Sequence, residues 1–440
     1  MYNIKQIKMK KLLFLWIVSL LSIQAFSQSI SSVVEDFDRI GDIHTQRIVI
    51  EDNRTFILSQ NGVDSEIYNV DDLIVAIFPS YLTIKDFKIL ADEIYFCGTS
   101  SGVGFIAKAN IYDLFYNNSF YWGFVPYSQS LEKMVLDIDF NVACIGTDNS
   151  GESIFFHYRE NNGNYEIYKS TEPDEVFDDI ILHGQEIITI GREPNNYPTS
   201  FNVRGYDINS LITWEYRFDN GTSWRYINKL LATSVYNNSI AIVGEGEDDG
   251  TNLITITSIV DLNNIANGPH YTKSFGSYRY IGNQGEFALI KDIMFSTPDQ
   301  RLLILEEYPY TFSPPPFPPA LTDLISTVMV IDILPNLTNR EAIYSYINGI
   351  DHKYNSLIEK SPYVFISAGI NPSTGEVEMW EGDRANQGGY NCNIIEPYDL
   401  REEIVNIDIL DQVDLIYSNR IEWQIDTNNT MNLERNIICN

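Results

Sequence analysis

The sequence predicts an all-β chain folded as a β-propeller of four-stranded antiparallel blades, on three observations. A strand–glycine–loop–strand unit recurs along it. Aromatic residues make up 13 % of the chain, 28 of them tyrosine, which favours strands over helices. No window holds apolar residues at sustained helical spacing, so almost no helix is expected.

Residues 1–27 read as a signal peptide. Four lysines and no acid open the chain, LLFLWIVSLLSIQAF follows as an apolar run, and Ala25-Phe26-Ser27 offers small residues at the −3 and −1 positions. Met9 is an alternative start. The apolar run is short for a spanning helix, so no membrane insertion is expected after cleavage. An uncleaved, membrane-tethered surface protein is the competing reading.

The repeat is clearest at Asp86–Ile111, DFKILADEIYFCGTSSGVGFIAKANI, where DFKIL, IYFCGT and GFIAKANI are three strands. Its glycine ends an apolar strand at Gly98, Gly146, Gly191, Gly244 and Gly369, at intervals of 48, 45, 53 and 125 residues. RLLILEEY at 301–308 supplies the unit missing from the longest interval. RTFILSQNG at 54–62 and VDLIYSNR at 413–420 are weaker copies at either end. Units of this length each hold four short strands, and such sheets must stack to bury both faces. Asn61-Gly62, Asn162-Gly163, Asn220-Gly221, Asp249-Gly250 and Asn267-Gly268 fall between apolar runs as hairpin turns. The repeat count is eight blades, or seven if the first and last copies share one. Residues 28–440 are then a single propeller domain, with a Pro-rich loop insertion at 308–323 whose six prolines favour an extended polyproline conformation.

The units resemble the β-propeller repeats of secreted proteins from Bacteroidetes-type bacteria, of the broad kelch/WD40-like kind, over residues 47–440. No blade ends in Trp-Asp, none carries the kelch Gly-Gly pair, and NPSTGEVEMW at 371–380 departs from the sialidase Asp-box. The resemblance therefore implies the fold and no catalytic residue.

The chain carries 29 basic and 60 acidic residues, a net charge of −31. Removing residues 1–27 takes away four lysines and leaves −35. Such a chain repels phosphate backbones, so nucleic acid is not an expected partner. The expected place is outside the cell, at the surface or in the periplasm of a bacterium. Cys97 and Cys144 lie in apolar runs and read as buried thiols on opposite faces of their sheets. Cys392 and Cys439, in polar surroundings, are a candidate disulfide.

Catalytic signatures are sparse. There is no G-x-S-x-G, no H-E-x-x-H and no cysteine pair at zinc spacing, and the five histidines are isolated. Acids do recur at the start of the expected innermost strands: Asp86, Asp137, Asp139, Asp178, Asp179, Asp292 and Asp408. Asp86 and Asp179 are the candidate catalytic pair, because carboxylates converging on the channel mouth could do acid–base work on a glycan. The competing reading is that each bonds nearby backbone N–H groups. Glu247, Asp248 and Asp249 in GEGEDDGTN are a candidate calcium site, the one cofactor the sequence suggests. Trp122 and Trp214 read as blade-packing residues, Trp224 and Trp380 as an exposed stacking patch for a ligand. The function expected is a non-catalytic binding or scaffold protein that recognises a protein or glycan. The alternative is a carbohydrate-active hydrolase or lyase using acids at the central channel.

Overall fold

The computed structural model describes residues 32–37, 43–117, 119–161, 163–169, 174–193, 197–207, 212–219, 224–248, 253–265, 271–276, 289–311, 322–333, 338–347, 350–351, 353–370, 376–383, 393–396, 401–404, 408–409, 424–427, 429–432 and 435–439. Seven antiparallel sheets follow one another around an axis, so the chain is a seven-bladed β-propeller. The innermost strands of blades 1 to 7 are Ile43–Glu51, Leu82–Leu90, Ser128–Leu136, Val176–His183, Trp224–Val235, Leu289–Ser296 and Lys353–Ser361. Blade 7 takes its fourth strand from the other end of the chain: Ser32–Phe37 pairs with Val377–Asp383. That exchange closes the ring.

Seven of the eight repeat copies are the second strands of the seven blades. The eighth, 413–420, lies outside the described residues. The described C-terminal segments form no blade of their own. Asn393–Glu396, Arg401–Ile404 and Asp408–Ile409 pair with the outermost strands of blades 6, 5 and 4. Gln424–Thr427, Asn429–Asn432 and Arg435–Cys439 do the same for blades 2, 1 and 7. The C-terminal strands thus run back around the rim in reverse blade order. Asp408, expected on an innermost strand, belongs to this rim.

Seven buried apolar clusters correspond to the seven blade interfaces, the one between blades 7 and 1 included. Burial of both faces is what makes the second strands read as unbroken apolar runs. Cys97 and Cys144 meet in the interface of blades 2 and 3, both buried thiols. Facing opposite ways from their own sheets is what brings them together. One helix of six residues, Ile111–Tyr116, is capped by the Asn110 side chain, which accepts the Tyr112 N–H at 3.0 Å.

The repeat glycine has a packing cause. Each innermost strand carries a bulge, and in blades 2, 3, 4, 5 and 7 a glycine lies across from it, where blades 1 and 6 have Ser59 and Glu306. A Cβ on Gly98, Gly146 or Gly369 would stand 1.9, 2.0 and 2.0 Å from the carbonyl oxygens of Thr83, Ser130 and Lys353. In blade 5 the residue opposite the bulge is Gly246, which pairs with Ile227. The glycine counted in the sequence, Gly244, is two residues away because GEG offers two candidates. The hairpin around the Pro-rich stretch is paired as far as Thr311 and Thr322, and 312–321 lie outside the described residues, as do 1–27.

Candidate functional site

The residue that follows the bulge on each innermost strand faces the axis. Around the ring these residues are Arg47, Asp86, Lys133, Asp179, Lys229, Asp292 and Ser356. Charge alternates in sign through six blades. An odd ring cannot close such an alternation, and a neutral serine stands where two like charges would otherwise meet.

Every interface has at least one polar contact at this level. Arg47 Nε lies 3.5 Å from Asp86 Oδ1, across blades 1 and 2. Lys133 Nζ lies 2.8 Å from Asp179 Oδ1, across blades 3 and 4. Lys229 Nζ donates to the Ile290 carbonyl at 2.8 Å, across blades 5 and 6. At the other interfaces a side chain accepts a backbone N–H of the following blade. Asp86 Oδ2 accepts from Met134 at 2.9 Å, Asp179 Oδ2 from Ala232 at 2.8 Å and Asp292 Oδ2 from Leu357 at 2.8 Å. The Ser356 hydroxyl accepts from Ile48 N–H at 3.1 Å and donates to Asp292 Oδ2 at 3.0 Å. Each aspartate also takes its own next N–H on Oδ1, from Phe87, Ile180 and Ile293. Both oxygens of Asp86 and Asp179 are therefore engaged by main-chain donors.

Beyond this ring lies a cavity of about 250 Å³, lined by Arg47, Lys133, Lys229 and Lys291 together with Asp179 and Asp292. Lys88, whose ammonium is 3.7 Å from Asp86 Oδ2, belongs to the same field. Burial and the nearby Arg47 push its pKa down to about 8, against the pull of Asp86, Asp292 and Asp179. Burial also works to lower Arg47, but Asp86, Asp292 and Asp179 more than offset it and its pKa is raised.

A second charged cluster is sealed inside blade 4. Arg204, 1 % exposed, bonds to Glu175 and Glu215. The Asn202 amide donates to Glu175 and Glu193 at 2.9 and 2.8 Å. Burial pushes the Glu215 carboxyl up to about 7, with Arg204 opposing. It has no path to the channel among the described contacts and reads as a structural network.

The strand directions place the links between blades and the turns between second and third strands on one face. Tyr81 and Tyr127 immediately precede the innermost strands of blades 2 and 3 there, 44 % and 71 % exposed. Val63 and Val103, at the second turns of blades 1 and 2, are exposed beside the same links. Tyr127 holds a left-handed backbone, φ +63°, with its carbonyl accepting from Asn149 N–H at 3.2 Å. For a bulky side chain that conformation costs about 1 kcal/mol or more.

The sequence-derived candidates fall out unevenly. Asp86, Asp179 and Asp292 do reach the channel, on alternate blades. Asp137 instead closes the first turn of blade 3, accepting from Asp139 N–H, Asn141 N–H and the Asn141 amide. Asp178 pairs with Arg192 at 2.7 Å. Trp380 is corrected: it is fully buried, 5.2 Å from the Tyr354 ring and 5.0 Å from that of Phe365, because its strand is covered by blade 6. Trp122 is buried and Trp214 lies over Gly205 in the packing of blades 4 and 5. Trp224 starts the innermost strand of blade 5, where its backbone pairs with that of Asp248, and Glu247 pairs with Tyr226. Asp249 and Cys392 lie outside the described residues, and Cys439 ends the last rim strand. Among the described residues no group of three His, Cys, Asp or Glu is placed to hold a metal.

The channel cations were missed because they share no residue type with the acids. Their common feature is position: each directly follows a bulge, as the acids do. Tyr81 and Tyr127 were missed too. Their signal was a proline one or two residues before, in FPSY and VPY.

No protein-family model matches the chain, and no curated protein does. Solved structures align with it at the level of the backbone. A prolyl endopeptidase gives a TM-score of 0.46 at 8 % identity, over 85 % of this chain and 50 % of that one, so the likeness spans half of that enzyme. Hsv2 of Kluyvelomyces marxianus gives 0.41 at 11 % identity, over 81 % and 98 %. The extracellular domain of a one-component system of B. thetaiotaomicron gives 0.19 at 11 %, over 76 % and 59 %. No residue role is taken from any of them.

Proposed function

We propose that this chain is a secreted or surface-exposed, non-catalytic binding protein that recognises a protein or glycan on the face bearing Tyr81 and Tyr127. The observation that carries the reading is Tyr127, a large aromatic side chain held out to solvent on a strained backbone in the link before the innermost strand of blade 3. Strain kept at an exposed tyrosine has no packing return, and tyrosines suit both sugar faces and protein hot spots. Among the described residues no helix is long and apolar enough to cross a membrane.

A hydrolase or lyase would need a carboxyl free to exchange a proton with substrate. Asp86 and Asp179 each give Oδ2 to an N–H of the next blade and Oδ1 to their own following N–H, which argues against that use.

The test is a glycan array and a surface-protein pull-down with the wild-type chain, Tyr127→Gly and Tyr81→Ala. Tyr127→Gly should fold at least as stably, because the left-handed strain is relieved, and should lose the ligand. Retained binding in both variants would remove the reading. Turnover of any captured glycan, lost in Asp86→Asn with Asp179→Asn, would establish the enzyme instead.

A further inference from the structure

We propose that the axial cavity is a binding site for a small oxyanion, a phosphate- or carboxylate-bearing molecule, held by Arg47, Lys133 and Lys229. It is distinct from the tyrosine face. The cavity is lined beyond the bulge by Ile180, Ile181, Leu231, Thr233 and Ile293, on the side of the ring where first and second strands turn.

The argument starts from charge. In a chain of net charge −31, five cations gather here: Arg47, Lys88, Lys133, Lys229 and Lys291. Three carboxylates face them, Asp86, Asp179 and Asp292. Glu245 stands behind Lys229 with one oxygen taken by Ile290 N–H at 3.0 Å, Glu307 pairs with Lys291 at 3.1 Å, and Asp178 is tied to Arg192.

The pairing is incomplete in one direction. Blades 1–2 and 3–4 each form a cation–carboxylate pair across the interface, but blades 5–6 do not. Among the described residues Lys229 meets only the carbonyls of Ile290 and Lys291, at 2.8 and 3.5 Å. Asp292, which the alternation would give it, is held by Leu357 N–H and the Ser356 hydroxyl instead. Among the described residues Arg47 makes one ion-pair contact, through Nε, which leaves the other two nitrogens of its planar fork for a ligand.

The lining carries four cations, Arg47, Lys133, Lys229 and Lys291, against two carboxylates, Asp179 and Asp292, and a half-buried, cation-rich hollow binds anions through charge-assisted hydrogen bonds. Its side chains remain reachable from solvent, Arg47 being 34 % and Lys133 28 % exposed. A volume of about 250 Å³ admits a phosphate, a sulfate or a tricarboxylate. Mobile duplex or single-stranded nucleic acid is excluded by the acidity of the rest of the chain.

The experiment is calorimetric titration of the full chain with inorganic phosphate, sulfate and citrate at constant ionic strength, chloride serving as control. Saturable binding of at least one oxyanion, one per chain, is expected, with chloride giving none. Arg47→Gln and Lys229→Gln should each weaken it by about tenfold. The exposed variant Lys169→Gln, on the outermost strand of blade 3, should leave it unchanged. Affinity should also fall as pH rises past about 8, where Lys88 gives up its proton. Melting curves without anion separate a lost site from a lost fold. No saturable binding of any of the three anions, or equal binding in both channel variants that melt as wild type does, would overturn the proposal.

Discussion

Asp86, Asp179 and Asp292 are three copies of one device. A carboxylate next to a bulge takes its own following N–H on one oxygen and an N–H of the next blade on the other. Their residue type was legible in the sequence, and so was their place on the innermost strand. What they bond to was not, because every cross-blade donor lies 48 or more residues away. Glu215 shows the same limit more sharply. Nothing near it in ITWEYRF announces Arg204, yet burial beside that guanidinium moves its carboxyl up to about 7. The folded chain then holds a proton there that an unfolded glutamate releases near 4.5. The stabilisation is complete below about 4.5 and is lost as pH rises to about 7. Glu215→Gln should therefore flatten the fall in melting temperature over that interval, measured against wild type in matched buffers. His157 has the opposite sign. Burial pushes its imidazole down to about 4, so its contribution is present above about 6.5 and lost as pH falls.

At the scale of the element, apolar runs and glycine spacing located the second strands well, since a strand buried on both faces leaves a dense apolar run. The glycine itself records contact with the bulge of the strand beside it. Gly146→Ala should cost about 2–3 kcal/mol in urea unfolding, because its methyl would meet a backbone carbonyl that cannot rotate away. Gly62→Ala makes the contrast: its turn has φ +60° and open space, so that change should cost only the backbone strain, about 1 kcal/mol. Trp380 marks where reading by element failed. Its neighbours in the chain are polar, but Tyr354 and Phe365 come from two other strands and enclose it. Local polarity measures what the chain passes through, whereas burial is set by what packs from elsewhere.

At the scale of the whole molecule, parity matters. Seven blades with alternating charges at the axis leave one place without a partner of opposite sign, and Ser356 occupies it with a hydroxyl that both donates and accepts. Ser356→Ala should lower stability by about 2 kcal/mol, since it orphans the buried Ile48 N–H at the interface that closes the ring. A lower urea midpoint with unchanged slope would show it. Closure also rests on Ser32–Phe37, which completes blade 7, and on the rim strands that follow it round.

The sequence by itself determined the all-β class, the blade as the repeating unit and the presence of Asp86, Asp179 and Asp292 on innermost strands, though in mid-strand rather than at the start, because each is written in local spacing and composition. It left the number of blades open between seven and eight, since the strand that settles it joins the two ends of the chain. The alternating ring, the unmatched Lys229 and the burial of Trp380 were decided by tertiary structure alone. Each depends on which blade stands next to which, and that follows from ring closure, a property no single stretch of chain contains.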